Sequence, residues 1–241
     1  MLVRVGNTEA EVKVAAVMSM PRLGFTDNFF CVASALTPHG ISPVKVTGAY
    51  WGQSLQMAIE SVVKDADWVL TIDYDTIFSA KTVEALMTLA MWSGVDAIAP
   101  LQVKREANAV MFALAGSTPD EQTEVGDDWF KKPVQPVETA HFGLTLIRAS
   151  ALRATPKPWF VETANDEGTF TGGHMDADIH FWKQFTKNGH KLGLATHVSV
   201  GHAELMITWP SRQVADCKVL QHTTDYWAHG QKAPEKAWGQ V

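Results

Sequence analysis

Asp73-Tyr74-Asp75 sets two carboxylates one residue apart, directly after the apolar run Trp68-Val69-Leu70-Thr71-Ile72. Carboxylates so spaced at the end of a strand can converge on one divalent cation. A hard cation such as Mg²⁺ or Mn²⁺ takes oxygen ligands and keeps open positions for phosphate oxygens. The chemistry this predicts is an enzyme that holds a nucleotide diphosphate through a metal. The alternative is a plain strand-end turn, a place Asp favours for its local hydrogen bonds.

The same spacing recurs in Asp65-Ala66-Asp67 and Asp176-Ala177-Asp178, so setting must separate the three. Asp65 and Asp67 lie between a helix and a strand, where acids usually face water. Asp73 and Asp75 sit at the carboxyl end of a strand, where open α/β sheets bind ligands.

Residues 12–20, rich in Val, Ala and Met and stopped by Pro21, predict the first buried strand of the scaffold. A loop over residues 21–24 leads to a helix capped by Thr26 or Asp27 and stopped near Pro38 and Gly40. Residues 44–50 predict a second strand, and Leu55, Ala58, Ile59, Val62 and Val63 share one helical face. The third strand delivers Asp73. Ser79 then caps a helix with the face Val83, Leu86, Met87, Ala90 and Met91, Gly94 ends it, and residues 95–100 form a fourth strand. Strands alternating with amphipathic helices predict βαβ units and a parallel sheet.

The pattern weakens beyond residue 100. Residues 116–140, rich in Pro, Asp, Glu and Thr, read as a long excursion, which is usually functional or disordered. A strand is expected over residues 141–148, a rigid turn at 156–160, and a helix over 176–187 with Ile179, Trp182 and Phe185 inward and Asn188-Gly189 as its stop. Residues 192–200 predict a strand that delivers Gly201-His202. The polar tail after Pro210 carries Trp227 and Trp238, and is expected to fold over something.

The 241 residues are 46% hydrophobic and 19% charged, enough for a sizeable core and against disorder. A net charge of −6 gives no general pull toward nucleic acid or anionic membrane, leaving only local basic clusters at Lys104-Arg105 and Lys131-Lys132. Cys31 and Cys217 do not make a disulfide framework. No apolar run approaches the ~20 residues of a transmembrane segment, and no secretory signal leads the chain. The expectation is a soluble, cytoplasmic protein.

Taken in order, five stretches resemble the GT-A glycosyltransferases, near the family-2-like group. They are Met18-Ser19-Met20-Pro21; Asp73-Tyr74-Asp75; Gly143-Leu144-Thr145-Leu146-Ile147-Arg148 with Pro158-Trp159-Phe160; Asp176-Ala177-Asp178-Ile179-His180-Phe181 with Gly189; and Val200-Gly201-His202. The resemblance implies a single α/β domain of GT-A (Rossmann-like) type, with a mixed, mainly parallel sheet flanked by helices, over residues 1–209. Residues 210–241 would then be a tail and possible active-site lid. The implied reaction is metal-dependent transfer of a sugar from a UDP- or GDP-linked donor to an acceptor hydroxyl, with Mn²⁺ or Mg²⁺ as cofactor. The acceptor is open among glycan, lipid-linked sugar, small molecule and protein, with a modified nucleic-acid base ranked below these.

The same resemblance implies roles. Asp75 would be the direct metal ligand, Asp73 would reach the ribose or the metal's water shell, and His202 would complete the metal set. Otherwise, His202 is a satisfied structural histidine. Asp178 would be the general base that takes the acceptor proton. Ala177 stands where the family commonly has Glu, which leaves Asp176 as a rival. Both acids also suit a helix start, as N-cap or first-turn charge. Pro21 and Arg22 would lie at the nucleotide, and His141 and Trp159 on the acceptor and sugar side. Inversion and retention both stay open. Two other readings stand beside this one. One is a nucleotidyltransferase, which usually has a Gly-rich basic loop near the first strand. The other is a nucleotide- or sugar-binding module without chemistry.

Overall fold

The computed structural model describes residues 1–5, 8–105, 109–114, 116, 125–211 and 218–237. Cys217, Trp238 and residues 117–124 of the expected excursion lie outside these described residues. The chain opens with a hairpin absent from the sequence expectations, β1 (Leu2–Val5) against antiparallel β2 (Thr8–Glu11). The expected alternation follows: β3 (Val14–Met20), α1 (Thr26–Leu36), β4 (Val44–Thr47), α2 (Trp51–Val62) and β5 (Trp68–Asp73). Next come β6 (Thr76–Ile77), α3 (Ala80–Ser93) and β7 (Ala97–Leu101). Ser79 caps α3 as expected, and Gly94 ends it in the left-handed conformation at φ 67°. At α1 the expectation fails: Phe25 is the N-cap and no side chain caps the helix.

The second half contains β8 (Phe112–Ala113), β9 (Val134–Pro136), β10 (Thr139–Ala140), β11 (Leu144–Arg148) and α4 (Ala149–Ala154). It continues with α5 (Ala177–Lys187), β12 (Leu192–Ser199) and β13 (Gly201–His202). The chain then forms β14 (Met206–Pro210), β15 (Lys218–His222) and α6 (Thr223–Ala228). β14 and β15 form a hairpin, so the boundary expected between residues 209 and 210 cuts a strand.

One seven-stranded sheet organises the molecule, in the order β4-β3-β5-β11-β7-β12-β9. β3 runs parallel to both β4 and β5, and β12 parallel to β7. β11 is antiparallel to β5 and β7, and β9 closes the edge antiparallel to β12. The sheet is therefore mixed and mainly parallel, as the resemblance implied. β9 corrects the view of residues 116–140 as a pure excursion. It is short and ends on Pro136, a residue that an edge strand tolerates and that reads locally as a turn.

Alternating residues feed two cores. From β5, Val69 faces Leu55 and Ile59 of α2, Leu152 of α4 and Phe181, Trp182 and Phe185 of α5. Leu70 and Ile72 face Val32 and Leu36 of α1 and Val83, Leu86 and Met87 of α3. A strand covered on both faces reads as a continuous apolar run, as β5 does. Each fully buried large side chain contributes about 1.5–3 kcal/mol. This packing fixes the carboxyl end of β5, where the acids emerge. Among the described residues, no helix is long and apolar enough to cross a membrane.

Candidate active site

Asp73 ends β5 in register with Ser19 of β3, and its backbone N–H donates to the Gly143 carbonyl at 3.0 Å. Trp51, first residue of α2, donates its indole N–H to Asp73 Oδ1 at 3.2 Å. Trp51 is itself wedged edge-on against Phe142 and Phe160, with centroids 5.7 and 5.4 Å away. Buried Asn28 of α1 reaches under the turn and donates to the carbonyls of Asp73 (3.0 Å) and Thr76 (2.7 Å). The turn is thus held from both faces of the sheet.

β6 then pairs antiparallel with β13, placing His202 opposite Thr76 and Gly201 opposite Ile77. A Cβ on Gly201 would lie 3.3 Å from Ile77 Cβ, so glycine allows the close approach of the two strands. The Ala203 N–H donates to the Asp75 carbonyl at 2.7 Å. These contacts bring His202 Nε2 within 3.4 Å of Asp75 Oδ2. His202 Nδ1 lies 2.9 Å from the Val103 carbonyl. A carbonyl and a carboxylate only accept, so Nδ1 donates to Val103 and Nε2, in the protonated imidazole, donates to Asp75. Arg105 Nη1 approaches the same Oδ2 at 3.2 Å and also donates to the Tyr74 hydroxyl at 3.3 Å. Asp75, only 3% exposed, therefore faces two cationic side chains.

The electrostatics favour a cation here. Burial first, and then the charges of Asp75 and Asp178, push the Asp73 carboxyl up to about 6, against the restraining Trp51 hydrogen bond and His202. Burial alone would lower the His202 imidazole, but its bonds to Asp75 and to Val103 outweigh burial and raise it. Carboxylates that repel each other beside an imidazole held to present Nε2 form a donor set that a hard divalent ion relieves. Among the described residues, no three His, Cys, Asp or Glu side chains already converge as a metal centre. That arrangement still suits an ion such as Mg²⁺, which binds through one or two carboxylates plus substrate phosphates rather than in an all-protein cage.

Asp178 lies in the first turn of α5, its Oδ1 accepting from the Ile179 N–H at 2.7 Å. Burial is the main cause that pushes its carboxyl up to about 6; the Ile179 bond and Lys104 oppose this, and Asp176 adds to it. Asp178 is close enough to Asp73 for their charges to couple. Asp176 occupies the N-cap position of α5 without making a side-chain cap, and is exposed. It pairs instead with His174 Nε2 at 2.9 Å.

His141 and Trp159 are not placed to line a pocket. His141 is 3% exposed; its Nδ1 accepts from the Gly143 N–H (3.0 Å) and its Nε2 donates to the Pro100 carbonyl (2.9 Å). Burial holds the imidazole down at about 4 despite the Pro100 bond, so it stays neutral. It shapes the turn into β11: a Cβ on Gly143 would meet Gln102 Oε1 and Thr76 Oγ1 at 2.7 Å. Trp159 is 1% exposed, donates its indole N–H to the Thr155 carbonyl at 3.0 Å, and has no ring face open to a sugar. Pro21 and Arg22 are exposed in the loop that leaves β3 beside Asp73. Asp67, read as a solvated acid, accepts from the Lys13 N–H at 2.9 Å and pins the start of β3.

The structure therefore gathers Asp73, Asp75 and His202, with Asp178 nearby. It adds Trp51, Asn28, Tyr74 and Arg105. Arg105 was visible in sequence only as part of a basic pair. Nothing in the sequence marks Trp51 among nine tryptophans.

No protein-family model matches the chain, and no curated protein matches it in sequence. Solved structures do share its fold. A197 from STIV superposes with a TM-score of 0.53 at 15% identity, over 78% of this chain and 85% of that one. GalNAc-T7, crystallised with UDP, GalNAc and Mn²⁺, superposes with a TM-score of 0.56 at 12% identity, over 79% of this chain. The present chain spans 44% of the GalNAc-T7 chain. The likeness defines the class of fold, the GT-A fold of glycosyltransferases.

Proposed function

We propose that the protein is a metal-dependent glycosyltransferase that moves a sugar from a nucleoside-diphosphate donor to an acceptor hydroxyl. One observation carries this reading. Buried Asp75 meets His202, whose Nδ1 is tied to Val103, at the carboxyl end of β5 beside Asp73. GalNAc-T7 binding UDP and Mn²⁺ on a similar fold supports UDP as donor base and Mn²⁺ as ion.

Asp75 and His202 would hold Mn²⁺ or Mg²⁺ directly. Asp73, steadied by Trp51, would face the ribose or the ion's water. When bound, the ion neutralises charge on the departing diphosphate as a Lewis acid. Pro21 and Arg22, in the loop beside Asp73, would border the nucleotide. Asp178 takes the proton from the acceptor hydroxyl. Its raised carboxyl is a stronger base than an ordinary aspartate and remains ionised at neutral pH. Asp176 orients His174 on the approach to that helix. The segment from residue 210 onward serves as a lid, since the chain enters the β14–β15 hairpin shortly after its anchor at Ala203.

Thermal unfolding with UDP or GDP, with and without Mn²⁺, tests the proposal on wild type and Asp75→Ala. At a ligand concentration a hundred times its Kd, stabilisation is about 2.7 kcal/mol. For a chain this size that corresponds to roughly 5–10 °C in Tm. The expected result is a Mn²⁺-dependent shift with one nucleotide that Asp75→Ala abolishes. A nucleotide shift indifferent to Mn²⁺ and to Asp75 would point to a binding module without this chemistry.

A further inference from the structure

We propose that Arg105 is a cation latch, holding Asp75 Oδ2 while donor is absent and passing to the donor's phosphates when the metal takes that oxygen. The inference rests on the metal-and-nucleotide reading above and names a donor-binding residue and a built-in control for the same site.

Two cationic groups meet on one atom. Arg105 Nη1 lies 3.2 Å and His202 Nε2 3.4 Å from Asp75 Oδ2. The Asp75 side chain is 5% exposed, whereas that of Arg105 is 39% exposed. The carboxylate is therefore fixed in the protein, and the guanidinium holds it from the solvent side. An oxygen that ligates a divalent ion has little capacity left for a guanidinium, and the two positive charges repel. His202 can stay, because Nε2, on giving up its proton to solvent, becomes a metal ligand in its own right. Arg105 has no lone pair to offer and must leave.

Its nearby landing place is defined. The same Nη1 already donates to the Tyr74 hydroxyl at 3.3 Å. The Tyr74 ring stacks on Phe25, with centroids 6.2 Å apart and planes 18° apart. Gly24, at the end of the loop that leaves β3, would bring a Cβ within 3.9 Å of Tyr74 Cβ. Arg105 thus stands between the metal-facing carboxylate and the loop assigned to the nucleotide. A guanidinium released there meets the diphosphate, whose oxygens match its planar fork. One residue then opposes metal binding to the empty site and favours it once nucleotide is present, which makes the two ligands strongly cooperative.

Arg105→Gln tests this because its effects have opposite signs. The Gln amide is close to Arg in polarity but carries no charge and has no guanidinium fork. Mn²⁺ binding to the chain alone, read from the EPR signal of free Mn²⁺, is expected to tighten roughly tenfold. UDP or GDP binding at saturating Mn²⁺, read by calorimetry, is expected to weaken roughly tenfold. Each figure is of the order of one charge-assisted hydrogen bond. Arg105→Lys, which keeps the charge and loses the fork, should restore the wild-type Mn²⁺ affinity and only part of the nucleotide affinity. Adding Asp75→Ala to Arg105→Gln should remove the gain in Mn²⁺ binding. Unchanged or weaker Mn²⁺ binding in Arg105→Gln would overturn the latch while leaving the metal site standing, as would unchanged nucleotide affinity. Absence of Mn²⁺ binding in both wild type and Arg105→Gln would overturn the latch and the metal reading together.

Discussion

Asp178 joins two requirements of a base: a carboxyl raised to about 6, and a place in the first turn of a helix whose backbone N–H groups favour its charge. The protonated form cannot accept a proton. Turnover should therefore rise about tenfold per pH unit below 6 and level off above it. The profile is to be measured at saturating Mn²⁺, where Asp73, also raised to about 6, is held ionised by the ion. Asp178→Asn is expected to lower kcat by roughly 10²–10⁴ and to remove the inflection, with donor KM little changed. An inflection that survives in Asp178→Asn would assign the base to another group, Asp176 with its His174 partner being the nearest alternative. Residue type alone does not settle such roles. His141 and His202 both bond a backbone carbonyl, yet His141 has its second nitrogen taken by Gly143 N–H, whereas His202 presents its own to a carboxylate.

At the scale of elements, the site depends on short pieces pinned by neighbours. β6 and β13 have two residues each, and Asn28 and Ala203 hold the turn between β5 and β6. α3, which follows directly, is closed by a reciprocal cap: Ser79 Oγ accepts from the Thr82 N–H, and Thr82 Oγ1 accepts from the Ser79 N–H. Ser79→Ala is expected to cost about 1 kcal/mol in urea denaturation and to leave Mn²⁺ affinity unchanged, because α3 supports the core rather than the ligands. A large loss of Mn²⁺ affinity would show that the cap also positions the β6 turn. This cap was legible in sequence because it is local, a Ser followed by an apolar helical stripe. β9 was not legible. Its three residues become a strand only because β12 offers an edge to pair with.

At the scale of the molecule, the described residues of the C-terminal hairpin and α6 stand apart from the two cores, with Leu220 and Trp227 53% and 65% exposed. Removal of residues 206–241 is expected to keep one cooperative unfolding transition, shift Tm by less than about 5 °C, preserve Mn²⁺ binding and lower turnover. Loss of the transition would make the tail part of the fold; unchanged turnover would remove its role as a lid. The sequence by itself determined the alternating strands and helices, the two-faced burial of β5 and the emergence of Asp73 and Asp75 at its end. Those features follow from hydrophobic periods a few residues long, which any local stretch carries. The resemblance had already named His202 beside Asp75; only the tertiary structure decided the other partners the acids meet, Arg105 on Asp75 and Trp51 on Asp73. It also sent His141 and Trp159 inward. These contacts join segments far apart in the chain, and sheet order and strand register, not local pattern, bring them together.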